Sequence, residues 1–243
     1  GPANVVYAAN VFCHIPDIND LAQSCSILLK EDGYLVFEDP YLGDVLQKVS
    51  YDQIYDEHVY LFSCTAVQDV FKKYGLELFD CKHLETHGGS MRYYFKKTAS
   101  IQISDTLSKQ IEQEEIMGIK ELETYNQFSE NCEFAKNEFK KSLEIFKEKD
   151  HRIIGYGATS KSTTILNYCD VGNDLIDYFV DTTPIKQNTY TPGKHIPVLP
   201  YSAFVPHPEV AVLFAWNHKL EIMNKEKDFG GKWITHLFEE FSK

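Results

Sequence analysis

Apolar positions along the first hundred residues follow the alternating periods of a parallel α/β fold. Residues 4–11 form an apolar run that predicts a buried strand, residues 18–29 repeat at helical spacing, and residues 34–38 predict the next strand. Two strands joined by one helix predict a right-handed βαβ unit and therefore a parallel sheet. Residues 76–84 and 90–97 then predict an antiparallel hairpin at the edge of that sheet.

The rest of the chain divides into a helical stretch and a second α/β region. Residues 103–149 are rich in Glu and Lys and contain no Pro, and their apolar spacing predicts one long helix or a helical hairpin. From residue 151 strands alternate with helices again; the predicted strands are 152–158, 175–181, 210–216 and 232–237, and a loop rich in Pro, Thr and Gly runs to Pro200. We therefore predict two doubly wound α/β regions joined by a helical connector.

Composition and charge argue against several classes of function. The 243 residues are 43% apolar, enough for sizeable cores, and 36 acidic against 24 basic residues leave a formal charge of -12. Because the sequence has no basic cluster, we expect neither a nucleic acid nor an anionic membrane surface as a partner. The sequence also lacks the patterns of a signal peptide and of the ~18-residue apolar run that spans a bilayer, so we expect no membrane association.

The cysteines are spaced singly rather than in the close pairs that bind zinc. We therefore predict no metal site in this chain and expect a reduced, cytoplasmic protein with buried thiols. The six residues concerned are Cys13, Cys25, Cys64, Cys81, Cys132 and Cys169.

The densest group of reactive side chains lies in residues 51–60, which contain three tyrosines, three carboxylates and His58. A histidine beside a carboxylate is a common arrangement for a general base, and a tyrosine hydroxyl can stabilise negative charge on a carbonyl oxygen. Taken alone, the segment is only suggestive of a catalytic site, because a solvated loop or a structural histidine would show the same pattern.

Two further candidates flank this segment. Asn10 and His14 follow the first strand, at the carboxyl edge where parallel sheets bind ligands, although such residues also cap the next segment. Residues 86–92 contain paired glycines and Arg92, which suits an anion site or a simple tight turn.

Residues 155–161 lie between a predicted strand and a predicted helix and include two glycines, hydroxyls and a lysine. Backbone N–H groups there would form a phosphate cradle, and the alternative is a tight strand-to-helix turn. Ser160 stands where a dinucleotide fingerprint has its third glycine, and Asp181 follows the next strand. The partial fingerprint is weak support for NAD.

Taken together, the motifs resemble one family, the S-adenosylmethionine (SAM)-dependent sugar C-methyltransferases that act on nucleotide-linked deoxy-ketosugars. The resemblance implies the second half of a Rossmann-like methyltransferase sheet over residues 1–100, a helical connector over 101–150, and a second doubly wound, Rossmann-like nucleotide-sugar domain over 151–243. The matching segments are 9–17 (ANVFCHIPD), 32–40, 54–63 (IYDEHVYLFS), 86–92 (THGGSMR), 155–169, 175–200 and 215–222.

The resemblance also implies roles for individual residues. On the cofactor side it assigns Ala9 and Asn10. For catalysis it assigns His14, Tyr55, Glu57 and His58, with His58 as base, Tyr55 or His14 on the enolate oxygen, and Glu57 supporting the base. As residues that bind the nucleotide sugar it suggests His87, Arg92, Tyr156, Lys161 and Asn217. Where relatives often carry a second histidine this chain has Asp56, a change we expect to tune the site.

The family has an N-terminal zinc domain and a glycine-rich SAM loop that this sequence lacks. The resemblance therefore leads us to expect a missing N-terminal half, on the same or another chain, with zinc confined to that part. Two rival hypotheses stay open from the sequence: a nicotinamide-dependent oxidoreductase built on residues 151–243, and a non-catalytic fragment that binds nucleotide sugars.

Overall fold

The computed structural model describes residues 1–97 and 101–237 and divides the chain into two compact units. The first unit contains Gly1–Gln47 and Asp56–Phe128, and the second contains Lys48–Tyr55 and Ser129–Lys243. A short segment, Lys48–Tyr55, thus belongs to the second unit although the residues on both sides of it belong to the first. Among the described residues, no helix combines the length and apolar character that a membrane crossing requires.

The first unit contains a four-stranded mixed sheet in the order β1-β2-β4-β3. Its strands are β1 Ala3–Ala9, β2 Leu29–Pro40, β3 Glu77–Leu84 and β4 Ser90–Lys96. β1 and β2 are parallel, whereas β2–β4 and β3–β4 are antiparallel. Both the βαβ unit and the edge hairpin predicted from the sequence are therefore confirmed.

The prediction of a buried first strand was wrong. β1 lies at the edge of the described sheet, and Val5 and Tyr7 are 55% and 59% exposed. An apolar run reports which side chains favour burial, but not whether a neighbouring strand or helix covers them.

Aromatic rings form the centre of the first unit. The ring centroid of Phe37 lies 4.9 Å from that of Tyr93, 5.5 Å from that of Phe71 and 5.8 Å from that of Phe95. All four side chains are fully buried. Burial of one such ring contributes about 1.5–3 kcal/mol, so this cluster fixes the sheet against the helices that cover it.

Polar caps define where the helices of the first unit begin. The helices are α1 Ile18–Leu28, α2 Leu42–Lys48, α3 Cys64–Lys72, α4 Asp105–Ile116 and the start of α5 Leu122–Glu148. The Asp17 carboxylate accepts hydrogen bonds from the backbone N–H groups of Asn19 and Asp20, at 3.0 and 2.9 Å. The predicted helical stretch thus contains two helices, α4 and α5, rather than one long helix.

The second unit contains a six-stranded sheet in the order β10-β9-β5-β6-β8-β7. The elements are β5 Ile153–Tyr156, α6 Ser160–Tyr168, β6 Tyr178–Asp181, β7 Thr189–Tyr190, β8 Pro197–Pro200, β9 Val210–Leu213, α7 Lys219–Lys225 and β10 Lys232–Ile234. All pairs are parallel except β7–β8. The chain runs outwards from β5 in one direction and returns at β9 on its other side, which confirms the doubly wound topology.

The segment predicted as a loop before Pro200 contains two strands, so that prediction was wrong. β8 pairs with β6 on one side and with β7 on the other. Its two prolines, Pro197 and Pro200, occupy the ends of the strand, where a missing N–H group is tolerated. The turn-like composition of the segment concealed the strand.

Candidate active site

The carboxyl ends of β1 and β2 lie side by side, since Ala9 of β1 is paired with Glu38 of β2. Asn10 follows β1 in the left-handed conformation, with φ 54°, and its N–H donates to the Glu38 carbonyl at 2.8 Å. The Asn10 side-chain nitrogen lies 3.4 Å from Nε2 of His87. Ala9, Asn10 and His87 thus lie at the edge where parallel sheets bind ligands.

Two histidine rings lie next to each other beyond this edge. His14 Nδ1 lies 2.6 Å from the Glu57 carbonyl oxygen, and the ring centroids of His14 and His58 are 5.2 Å apart. Because a carbonyl only accepts hydrogen bonds, His14 carries its proton on Nδ1 and its neutral form presents a lone pair on Nε2. The structure therefore brings together two imidazoles suited to accepting and donating a proton.

Glu57 acts on His14 through its backbone, while its side chain is exposed. His58 is half-buried, and Tyr55, also half-buried, belongs to the segment that packs with the second unit. The sequence analysis assigned Glu57 a carboxylate role and had no means of anticipating the carbonyl contact.

Asp39 is a buried carboxyl group that the sequence analysis did not assign. It ends β2 beside the turn that carries Cys13 and His14, and it is completely inaccessible to solvent. Burial raises its pKa to about 6, opposed by Cys13, the backbone of Phe12 and the charge of His14. Its position at a strand's carboxyl end next to Ala9 was the signal that could have identified it.

One set of side chains in the described part of the chain has the spacing of a metal site. The ligand atoms of Cys13, His14 and His58 all lie within 4.8 Å of one another. Thiolate and imidazole donors suit zinc, but burial and the neighbouring Asp39 raise the pKa of the Cys13 thiol and disfavour its thiolate. The sequence analysis predicted no metal here, and the donor set makes that prediction testable.

Arg92, predicted as an anion-binding residue, is paired with Glu38. The two residues face each other across β4 and β2, and the guanidinium contacts Oε2 of Glu38 through Nε at 2.7 Å and Nη2 at 2.6 Å. The hydrogen bond to Glu38 raises the pKa of Arg92. Its charge is thus partly compensated within the sheet.

The second unit has a cavity of about 680 Å³ at the carboxyl end of its sheet. The strand order reverses between β5 and β9, and the cavity opens at their ends, which is where doubly wound folds bind ligands. The polar and charged lining includes Tyr156, Thr159, Asp181, Lys186, Tyr201 and Lys225.

In the glycine-containing loop after β5, one backbone N–H group already donates a hydrogen bond to the carboxylate of Asp181. Gly157 adopts φ 88°, and Thr159 caps α6 by accepting from the Ser162 N–H at 3.1 Å. Asp181 accepts hydrogen bonds from the N–H groups of Ala158 and Thr183, at 2.8 and 2.7 Å. Asp181 therefore fixes the conformation of the loop that forms one wall of the cavity.

Tyr156 is bound to a glutamate that the sequence analysis did not single out. Its hydroxyl donates to Glu226 Oε1 at 2.7 Å, and Tyr201 donates to the same oxygen at 2.5 Å. The ring of Tyr156 lines the cavity while its hydroxyl is engaged in this buried network.

Lys161 and Asn217 are absent from the cavity lining described for this part of the chain. Lys161 lies with its ammonium 5.0 Å from the centroid of the Trp216 ring and interacts electrostatically with Asp52. Asn217 is half-buried in the turn Trp216–His218. Of the three candidates in the second unit, Tyr156 alone lines the cavity.

A four-stranded α/β sheet with two imidazoles near its edge, and a doubly wound unit with a cavity where its strand order reverses, define the class of two-unit α/β proteins with clefts at the strand ends, where such folds bind ligands. The chain belongs to the C-methyltransferase family. A model of the C-methyltransferase C-terminal domain matches residues 85–237, and a methyltransferase-domain model matches residues 1–80. The resemblance to C-methyltransferases found in the motifs is thereby confirmed.

Similar proteins include C-methyltransferase NovU of Streptomyces niveus, which is 31% identical over 98% of this chain; the chain spans 58% of NovU's length. Among solved structures, a SAM-dependent methyltransferase from Thermotoga maritima aligns with TM-score 0.33 and 18% identity, covering 39% of this chain and 56% of that one. N-methyltransferase NodS of Bradyrhizobium japonicum, bound to S-adenosyl-L-homocysteine, aligns with TM-score 0.30 and 13% identity, covering 38% and 45%.

Proposed function

We propose that the native protein is a SAM-dependent C-methyltransferase whose substrate is a nucleotide-linked deoxy-ketosugar. Membership of the C-methyltransferase family supports the reaction class. The observation that carries the proposal is the pair formed by His14 and His58, in which the Glu57 carbonyl holds His14 in one tautomer. Carbon methylation needs a base to remove a proton from carbon, and this pair supplies one.

The residues present fit the part of SAM that carries the methyl group. Asn10 offers an amide at the carboxyl edge of β1, and the fully buried Asp39, when ionised, would favour a positively charged sulfonium through its charge rather than by contact. SAM supplies, when bound, an electrophilic methyl group. We assign Ala9 and Asn10 to its binding.

The chain's own residues handle the proton and the developing negative charge. The carbon next to the ketone of a 4-keto sugar carries an acidified proton, which His58 removes. Tyr55, or His14 in its doubly protonated form, donates a hydrogen bond to the enolate oxygen as the charge forms there. Glu57 holds the His14 ring through its carbonyl group, and His14 in turn lies beside the base His58.

The cavity of the second unit is our proposed site for the nucleotide part of the substrate. Its ammonium groups, Lys186 and Lys225, suit a diphosphate, and its Tyr156 and Tyr201 rings suit apolar contact with a base or sugar. The cavity volume of about 680 Å³ lies in the range of small-molecule sites.

The test of the base is exchange of the substrate's acidified proton with deuterated solvent, followed by NMR. The native protein is incubated with a thymidine-diphosphate 4-keto-deoxysugar, and its His58→Asn variant is compared with it. We expect exchange to slow by about 10²–10⁴-fold in the variant, the usual contribution of a general base.

A matched control is available in His195→Asn. His195 is exposed and has φ 53°, a conformation that Asn tolerates, so the control should exchange at the wild-type rate. Equal exchange rates in His58→Asn and wild type would refute His58 as the base.

A further inference from the structure

The turn Tyr51–Gln53 is fully buried in the second unit, a few residues before the proposed catalytic side chains. Tyr51, Asp52 and Gln53 are 5%, 0% and 2% exposed. The Tyr51 hydroxyl lies 3.2 Å from the Cys169 sulfur, and its ring centroid lies 5.0 Å from that of Tyr168. The turn therefore packs against the end of α6.

Asp52 makes two directional contacts inside this packed region. Its Oδ2 accepts a hydrogen bond from Trp216 Nε1 at 2.7 Å, and its Oδ1 lies 3.0 Å from Nε2 of His236. The His236 side chain is 1% exposed. The carboxylate is thus held by residues that follow β9 and β10.

The charges around Asp52 keep it ionised. Burial opposes ionisation, but His236, Lys161 and the Trp216 N–H together hold the pKa of Asp52 below its ordinary value. Burial lowers the pKa of Lys161, and Asp52 opposes that change. Loss of one member of such a buried cluster leaves the others uncompensated.

Holding a turn in place with a buried charged cluster carries a desolvation penalty, which apolar packing would avoid. What directional bonds add is a defined orientation of the turn. Tyr55 follows Asp52 by three positions in the same unit, and Glu57 and His58 come next along the chain. The orientation of the Asp52 turn therefore constrains where Tyr55 lies.

The same cluster also touches the cavity wall of the second unit. Trp216 lies in the chain between Ala215 and His218, and both of these residues line the cavity. Lys161 belongs to α6, whose capping residue Thr159 lines it too. Asp52 therefore contacts residues that are close in sequence to the cavity lining.

We propose that Asp52 is a positioning residue that anchors Tyr55 to the unit carrying the proposed nucleotide cavity. The structural half of this inference stands on the contacts alone, whereas its kinetic half rests on the proposed methyltransferase function.

The structural half is tested by hydrogen exchange on the native protein and its Asp52→Asn variant. We expect peptides from residues 48–55 to exchange about 10-fold or more faster in the variant, because the anchor is lost, while peptides from β2 and β4 keep their protection. Asp228→Asn, an exposed aspartate of the same unit, is the matched control and should leave residues 48–55 unchanged. Unchanged exchange of residues 48–55 in Asp52→Asn would overturn the anchor.

A second variant covers the case in which Asp52→Asn fails to fold. Trp216→Phe removes one hydrogen bond to Asp52 and keeps every charge of the cluster. We expect an intermediate increase in the exchange of residues 48–55. Protection equal to wild type would contradict the anchor.

The kinetic half is tested by steady-state methyl transfer with the same variants. We expect kcat to fall by up to about 10²-fold in Asp52→Asn, the effect of a misplaced catalytic group, while KM for SAM stays within about 2-fold of wild type. An unchanged kcat with faster exchange of residues 48–55 would refute the positioning role. Absence of methyl transfer in the wild-type protein would refute the proposed function instead, and the exchange experiment would still decide the anchor.

Discussion

At the scale of single residues, the candidate chemistry depends on contacts between positions far apart in the chain. His14 and His58 were predicted as site residues because one follows a strand and the other lies among tyrosines and carboxylates. Their proximity was not predictable, since it requires the loop after α2 to pass over the turn after β1. The 2.6 Å contact between His14 Nδ1 and the Glu57 carbonyl oxygen, which brings this loop to His14, joins residues 43 positions apart.

Asp39 provides a prediction about pH and stability. Its pKa is raised from 3.8 in the unfolded chain to about 6 in the folded one, so the native state binds the proton more tightly. The free energy of unfolding therefore falls as the pH rises from about 4 to about 6, by up to about 3 kcal/mol from this group. Asp39→Asn should remove that fall and be more stable than wild type at pH 7.5.

Urea unfolding of both proteins at pH 4.5 and pH 7.5 measures this difference. The stability gained by Asp39→Asn should be larger at pH 7.5 than at pH 4.5, because the ionised carboxylate is then the buried charge that the variant lacks. A gain that is the same at both pH values would show that Asp39 titrates normally.

At the scale of elements, periodicity predicted the order of strands and helices, while their surroundings were set by tertiary structure. The hairpin β3–β4 and the helical character of the stretch that contains α4 and α5 were predicted because each has a recognisable hydrophobic period. β8 was hidden by its terminal prolines, and β1 was expected to be buried although its outer face is exposed. Burial depends on neighbouring elements, which a local pattern does not contain.

The link between β3 and β4 gives an element-scale prediction. Gly89 has φ 129°, and a side-chain carbon there would overlap the carboxyl group of Asp44, whose Oδ2 lies 2.6 Å from His83 Nε2. Gly75 also has a positive φ, 73°, but a side-chain carbon there meets open space. Gly75→Ala should therefore lower the free energy of unfolding by about 1 kcal/mol. Gly89→Ala should lower it clearly more, by about 3 kcal/mol.

Denaturant unfolding measures the stability lost in each variant. Gly75→Ala introduces backbone strain alone, whereas Gly89→Ala introduces backbone strain and the overlap with Asp44. Both substitutions add the same methyl group at a residue with positive φ, so their difference reports the overlap with Asp44 together with the more strained backbone of Gly89. Equal losses of stability in the two variants would contradict this arrangement of the loop.

At the scale of the whole molecule, the segment Lys48–Tyr55 packs with the second unit, and no local feature of the sequence predicted this. Asp52 and His236 are 184 positions apart, and their contact exists only once β10 has joined the sheet. The doubly wound topology itself was predictable, because each strand and helix carries its own period. No sequence pattern marks the segment Lys48–Tyr55 as part of the second unit.

The thiols give a prediction for the molecule as a whole. All six cysteines are free and buried, and burial raises the pKa of Cys25 and of Cys169 to about 11. Because the reactive form is the thiolate, we expect negligible labelling by a thiol reagent in the native state and six labels after unfolding in urea. Intact-mass analysis counts the labels, and rapid labelling of the native protein would contradict the burial.

We propose that the native protein methylates carbon in a nucleotide-linked keto sugar. The most direct measurement supplies it with SAM carrying a ¹³C-labelled methyl group and a thymidine-diphosphate 4-keto-deoxysugar, and assigns the label by NMR. We expect a new carbon–carbon bond at the position next to the ketone, formed by the wild-type protein and not by His58→Asn. A label on oxygen or nitrogen, or full activity in His58→Asn, would contradict it.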